Sequence, residues 1–200
     1  MKITSLLSNA LIVGTAIALA GCAAQTPEMR VTRFHLGQPI APAQISVEPR
    51  DPTLARDLEF QAYARAVQGE LSRKGFTVAP NPLKSELVAV TQVNRSWQPV
   101  GPAHSPLTIG LGGGSFGGGV GVGGGVSFPV GKPKQRMDVI TLLSVQLKRR
   151  SEGTVIWEGR AQAVARDGTP FAAPEAAVAR LAEAMFRDFP GPSGQTITVK

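Results

Sequence analysis

Cys22 is the only thiol in a chain of 200 residues. A thiolate is a strong nucleophile and a soft metal ligand, but one cysteine can form no internal disulfide and has no thiolate partner for zinc. His35 and His104 are the only histidines. Neither has a carboxylate or cysteine at ligand spacing, and no Gly-x-Ser-x-Gly elbow offers a nucleophile to activate, so both read as core or surface histidines. Gly112-x-Gly114-x-x-Gly117 and Gly119-x-Gly121-x-x-Gly124 satisfy the dinucleotide pattern, yet a tract this rich in glycine does so by chance and no helix follows it. Gly131-Lys132-Pro133 lacks both the hydroxyl after lysine and the earlier glycine that a phosphate loop requires. Trp97 and Trp157 could stack a sugar, but on strand faces they read as core. The pattern predicts no catalytic, cofactor-binding or metal-binding residue and no enzyme activity, and leaves Cys22 as the one residue with a chemical assignment.

That assignment comes from what precedes it. Lys2 supplies one positive charge, Leu6 to Ala20 form an apolar run broken by Ser8, Asn9 and Thr15, and Leu19-Ala20-Gly21 brings small residues up to the thiol. This order of charged, apolar and small segments is that of a secretory signal. A transmembrane helix needs about 20 mostly apolar residues, and the polar breaks and the lack of a basic stop after the run argue against one. Leu19-Ala20-Gly21-Cys22 resembles the lipobox of bacterial lipoproteins. The resemblance implies a signal peptide over residues 1–21, an acylated Cys22 at the mature N-terminus and a lipidated tether over 22–29. Two or more acyl chains anchor stably where one does not. Ala23 at the following position, in place of Asp, implies delivery to the outer membrane, with membrane lipid as the first partner and the body facing the periplasm.

Loss of residues 1–21 would leave 179 residues and, with Lys2 gone, 20 basic against 14 acidic side chains, net +6. The clusters Lys132, Lys134, Arg136 and Lys148, Arg149, Arg150 read as solvated hairpin ends, with attraction to anionic headgroups as the alternative. No basic platform interleaved with aromatic residues is present, so nucleic acid is not an expected partner. A hydrophobic content of 42% and a charged content of 18% describe an ordinary globular chain, for which one domain over 30–200 is expected.

The elements that carry these residues follow from periodicity. Arg30–Leu36 and Ile45–Val47 read as short strands. Asp51-Pro52 reads as a helix start, with Asp as the N-cap and Pro at the first helical position, and the helix runs through Leu54, Leu58, Phe60, Tyr63, Val67 and Leu71 to Lys74. Gly75 and Phe76 then have the form of a Schellman stop, followed by a strand over Phe76–Ala79. Glu86–Trp97 alternates. Met137–Leu147 and Thr154–Ala165 form the clearest hairpin, joined by Arg150-Ser151-Glu152-Gly153. Pro174-Glu175 opens a second helix with the stripe Val178, Leu181, Met185, Phe189, and Gln195–Lys200 reads as an edge strand. The expected fold is α+β: an antiparallel-dominated sheet with two helices on one face.

One segment departs from this pattern. Ser96 to Gly131 are 36 residues without Lys, Arg, Asp or Glu, and eleven of the 23 glycines fall between Gly110 and Gly125. Glycines 117, 119, 121, 123 and 125 alternate with Val120, Val122 and Val126, and Leu107, Ile109 and Leu111 supply a matching apolar set, as in a β-hairpin. The insertion, about 107–131, is expected to be a mobile loop or a hairpin covering the domain's own sheet. A lone hairpin cannot cross lipid because its edges leave backbone groups unsatisfied, so the membrane alternative is an oligomerising subunit that uses this segment for assembly or insertion.

Val155-Ile156-Trp157-Glu158-Gly159, the alternating strand before it, Leu71-x-x-Lys74-Gly75-Phe76 and the glycine-rich stretch together resemble the bacterial lipoproteins that carry the domain of unknown function 4136. Ser85-Glu86-Leu87 stands where that family has Ala-Asp-Leu, and the family's aromatic residues within the glycine tract are nearly absent here. The resemblance implies an outer-membrane lipoprotein of α+β fold and assigns no catalytic residues. Beyond lipid, it leaves an envelope protein partner or self-association as the expected contacts of a periplasm-facing interaction or structural module.

Overall fold

The computed structural model describes residues 27–104, 107–111, 126–130 and 134–200. The signal segment, Cys22 and Gly112–Gly125 lie outside the described residues. In chain order the elements are β1 (Met29–His35), β2 (Gln44–Pro49), α1 (Leu58–Arg73), β3 (Thr77–Val78), β4 (Leu87–His104), β5 (Leu107–Leu111), β6 (Val126–Val130), β7 (Lys134–Arg149), β8 (Val155–Arg166), α2 (Pro174–Phe186) and β9 (Thr196–Val199).

Seven strands form one sheet in the order β3-β2-β4-β7-β8-β1-β9. The expectation of an antiparallel-dominated sheet is corrected: the sheet is mixed, because β2 runs parallel to both of its neighbours, β3 and β4. The cause is the helix between β2 and β3. A strand that returns through a helical crossover re-enters the sheet in its original direction, whereas hairpin-linked strands alternate. The β4–β7 and β7–β8 pairs, with β1 added on β8 and β9 on β1, are antiparallel.

The first helix begins later than its sequence suggests. Asp51 does cap a helical turn, its side chain accepting from Thr53 N, but that turn is a 3-10 segment over Pro52–Arg56. Asp57 is the cap of α1, accepting from Glu59 N at 2.7 Å and Phe60 N at 3.2 Å, so orphan donors of the first turn are satisfied by a carboxylate that also suits the helix dipole. The C-terminal end matches the Schellman form: Phe76 N donates to Leu71 O at 3.1 Å and Gly75 N to Ser72 O at 3.0 Å, with Gly75 at φ +90°. α2 starts on Pro174 and ends at Phe186, so Phe189, expected on its stripe, lies beyond the helix.

Period two divides the sheet into a covered and an open face. Val139, Leu143, Val145 and Leu147 of β7 and Trp157, Ala161 and Ala163 of β8 are buried, as are Val31 of β1 and Ala89 of β4. Tyr63, Val67 and Leu71 of α1 and Val178, Leu181 and Met185 of α2 pack with these residues in one core, except Val139, which joins Ala165 and Ala172 in a smaller cluster. The alanines of β8 let α2 approach closely. Burial of a large aliphatic or aromatic side chain contributes about 1.5–3 kcal/mol each, so this layer dominates the energetics.

The register also defines two ends. At one, β1 finishes at His35, opposite Trp157, and β4 begins at Leu87, opposite Arg149. At the other, Met29 pairs with Ala163, Ala165 with Val139 and Val139 with Trp97. Residues 27–28 therefore leave the sheet at the second end, and β4 and β7 run on past it to the pair His104–Lys134. β5 and β6 form a separate antiparallel pair, with Leu107 opposite Val130, Ile109 opposite Phe128 and Leu111 opposite Val126. The glycine alternation expected beyond them lies outside the described residues.

Candidate functional site

At the first end of the sheet a cleft of about 600 Å³ opens between residues 36–43, the 3-10 turn Pro82–Lys84 and the β7–β8 hairpin. Local chemistry shapes each wall. Asn81 caps the 3-10 turn by accepting from Leu83 N at 3.0 Å. The hairpin closes through Gly153 N to Arg149 O at 2.8 Å, with Gly153 at φ +68°, a conformation that favours glycine. Ile156 is the extra residue where the β7–β8 register slips between Trp157 and Val155, and it lines the cleft, as bulges beside sites often redirect a side chain.

Arg150 holds the floor. Its Nε donates to Ser85 O at 3.1 Å and its Nη2 donates to Ser46 Oγ at 2.8 Å, to Ser85 Oγ at 3.0 Å and to the Glu48 carboxylate. Ser46 and Ser85 are each 3% exposed, and their hydroxyls lie 3.1 Å apart. Ser46 Oγ donates onward to Glu48 Oε1 at 2.8 Å. No imidazole enters this network among the described residues, so neither serine faces a general base of the kind nucleophilic catalysis uses. What the arrangement offers is a guanidinium fixed in orientation, with Arg149 and Lys84 also lining the cleft. Arg150 was expected on a solvated hairpin end and instead ties that hairpin to β2 and to the residue pair before β4.

The two histidines go to other places. His104 is the last residue of β4, opposite Lys134. His35 is a fastening. Gly37 N donates to its Nδ1 at 3.0 Å, which leaves Nε2 as the donor to Gly191 O at 2.8 Å. The same 189–194 strap accepts from Trp157 Nε1 at Pro190 O, 3.0 Å, and donates from Gly194 N to Arg33 O, 2.8 Å. Ser193 Oγ both accepts from His35 N and donates to His35 O. Trp157 is fully buried, its ring 5.3 Å from Phe186 and 5.2 Å from Phe189, and is not placed to stack a sugar.

Arg33 completes that closure. It is 1% exposed, and its Nε and Nη2 donate to Met185 O and Ala184 O at 2.9 and 3.0 Å, carbonyls that the end of α2 leaves without helical partners. Burial pulls its guanidinium below the ordinary range, and Asp188 opposes that shift. Gly191 sits against it: a Cβ there would lie 2.8 Å from Arg33 Cδ.

At the opposite end Trp97 is 52% exposed, which corrects its expected place in the core. Arg95 lies over its ring at 5.3 Å. Among the described residues there is no helix long and apolar enough to cross a membrane and no cluster of metal-ligating side chains. Cys22, Lys132 and both glycine motifs lie outside the described residues. Sequence reasoning missed Ser46, Glu48, Ser85 and Arg33. The signals present were Arg33 beside Phe34 on a strand and a Ser between Ile45 and Val47, and neither names its partner.

The chain is 34% identical to the uncharacterized protein ZMO1243 of Zymomonas mobilis subsp. mobilis, covering 88% of this chain and 81% of that one. Among solved structures it is similar to a PDZ domain protein from Parabacteroides distasonis, with 15% identity and a TM-score of 0.44 over 93% of this chain. The chain spans 42% of that structure's length. It is also similar to PelC from Paraburkholderia phytofirmans, described as a dodecamer, with 12% identity and a TM-score of 0.43 over 78% of this chain and 94% of the other. Residues 35–191 match the family described as domain of unknown function, DUF4136, and the chain belongs to that family.

Proposed function

We propose that the protein is a lipid-anchored cell-envelope module that binds a partner through the end of its sheet farthest from the anchor. The observation that carries this reading is the placement of the two ends. The chain leaves the sheet before Met29 at one end, and the cleft with its fixed Arg150 lies at the other. An acyl anchor on Cys22, in the lipobox-like Leu19-Ala20-Gly21-Cys22, would hold the first end near the outer membrane and turn the cleft toward the periplasm. Labelled palmitate should enter the wild-type protein in cells, and Cys22→Ser should abolish the label and leave a soluble or uncleaved inner-membrane species. Absence of label from the wild type rejects the anchor.

A second reading rests on β5 and β6. They pair with each other and not with the main sheet, in a segment without charge that begins at the anchored end. In this reading the segment joins copies of the chain into a membrane-associated assembly. Light scattering of the detergent-extracted protein separates the two: a monomer supports the module, and a defined oligomer lost on replacing 107–131 by an Asn-Gly turn supports assembly.

A further inference from the structure

Leu36 and Leu83 flank the cleft at 84% and 79% exposed. Two large aliphatic side chains left almost wholly in water beside one concavity mark a binding surface more than a solvated one. With Pro39, Ile40, Pro42 and Ile156 they make an apolar trough, and its volume of about 600 Å³ is within the range of small-molecule sites. The charged groups come from residues 84–86 and 149–150, and the 36–43 wall contributes none, its one polar side chain in the lining being Gln38. Lys84, Arg149 and Arg150 line the cleft against the single acid Glu86, and Arg150 Nη1 has no protein acceptor among the described residues while its Nε and Nη2 are fixed.

Two features decide what kind of molecule fits. Every strand that reaches the cleft is interior to the sheet and paired on both sides, so an extended peptide finds no edge to bond its backbone. Pro39 and Pro42 line the opposite wall and have no N–H to donate. A ligand with its own backbone polar groups would bury them unsatisfied there, whereas an acyl chain has none to satisfy. We propose that the cleft binds a single-chain amphiphile with an anionic head, carboxylate or phosphate, the head on Arg150 and Arg149 and the chain between Leu36, Leu83 and Ile156. This rests on the reading of the cleft as the partner-facing end.

The test uses the full chain in phosphatidylcholine nanodiscs, or free in buffer where it proves unacylated, with a photoactivatable dodecanoic acid as probe. Crosslinks are mapped by mass spectrometry. Saturable labelling of residues 36–43 and 83–87 is expected. Dodecyl phosphate should displace it, and dodecanol should need about tenfold more, the worth of one charge-assisted contact. Leu83→Glu, at an exposed position, should remove labelling with the unfolding transition unchanged, and Arg149→Gln should weaken it several-fold, about the worth of one exposed charge. Labelling that does not saturate, equal displacement by dodecanol or by an acidic apolar hexapeptide, or labelling unchanged in Leu83→Glu overturns the proposal. Palmitate absent from Cys22 with cleft labelling intact rejects the anchor and leaves the amphiphile site standing. The reverse outcome rejects only the site.

Discussion

Arg33 and Arg150 are guanidinium groups at the same end of the sheet, and they are used in opposite ways. Arg33 is 1% exposed and spends its donors on the last carbonyls of α2. Arg150 has a side chain 26% exposed, its partner Glu48 is 35% exposed, and one face of the group opens onto the cleft. Arg33 lies under a strap of residues 189–194 that is hydrogen-bonded to β1 and β8, where Gly191 leaves no room for a side chain. Around Arg150 two buried serines hold the group from behind, and among the described residues its other face is left open to the cleft. The contrast teaches that a polar network near a cleft is informative only through what it leaves unsatisfied: a closed network maintains the fold, and an open one can address a ligand.

The comparison breaks most sharply at Trp157, which joins the core to the strap. Trp157→Ala empties a large aromatic site under Phe186 and Phe189 and removes the bond to Pro190 O, so a loss of about 3–5 kcal/mol is expected. Denaturant midpoints measure it, and an unchanged midpoint would mean that the strap does not close the core in solution. Arg33→Met follows. It keeps most of the volume but leaves two buried helix carbonyls without donors, at a cost of about 3 kcal/mol. A cost below about 1 kcal/mol would show that water reaches these carbonyls and would remove the distinction between the two arginines.

Arg150→Met sharpens the comparison from the other side. The same donors are lost, but Glu48 regains water and each serine keeps a partner in the other, so the expected loss is about 1 kcal/mol. If it matches Arg33→Met, the cleft floor is as structural as the strap.

These differences show which parts of the molecule were legible beforehand. The α1 stop was readable because Leu71, Gly75 and Phe76 are within six residues of one another and a local device needs only local spacing. The β7–β8 hairpin was readable because both faces keep period two over more than ten residues. β2 was not: six residues carry too little pattern to state a direction, and its parallel pairing depends on a helix placed after it. The start of α1 was misread because Asp51-Pro52 and Asp57 both carry capping chemistry, and only packing against the sheet selects the second. Arg33 and Arg150 reach partners separated by 152 and 104 residues, a distance no window along the chain spans. The cleft was invisible for the same reason, since its walls come from three separate stretches.

The smallest expected effect concerns those walls. Leu36, Leu58 and Leu83 are the most exposed large apolar side chains among the described residues, and neither Leu36 nor Leu83 belongs to the buried core. Their side chains are therefore already mostly in water in the folded state, and shortening them removes little buried area. Leu36→Ser and Leu83→Ser should each shift stability by less than about 0.5 kcal/mol, the range of surface substitutions. Thermal and denaturant unfolding check this on the same protein used for Arg150→Met. A loss of about 2 kcal/mol, the size of a buried leucine, would mean that the two side chains close over the cleft in solution and pack on each other. The cleft would then be a minor core, Arg150 would resemble Arg33, and the contrast between a closed and an open arginine would disappear. A negligible loss leaves two leucines that folding does not require, beside a guanidinium that folding does not fully occupy.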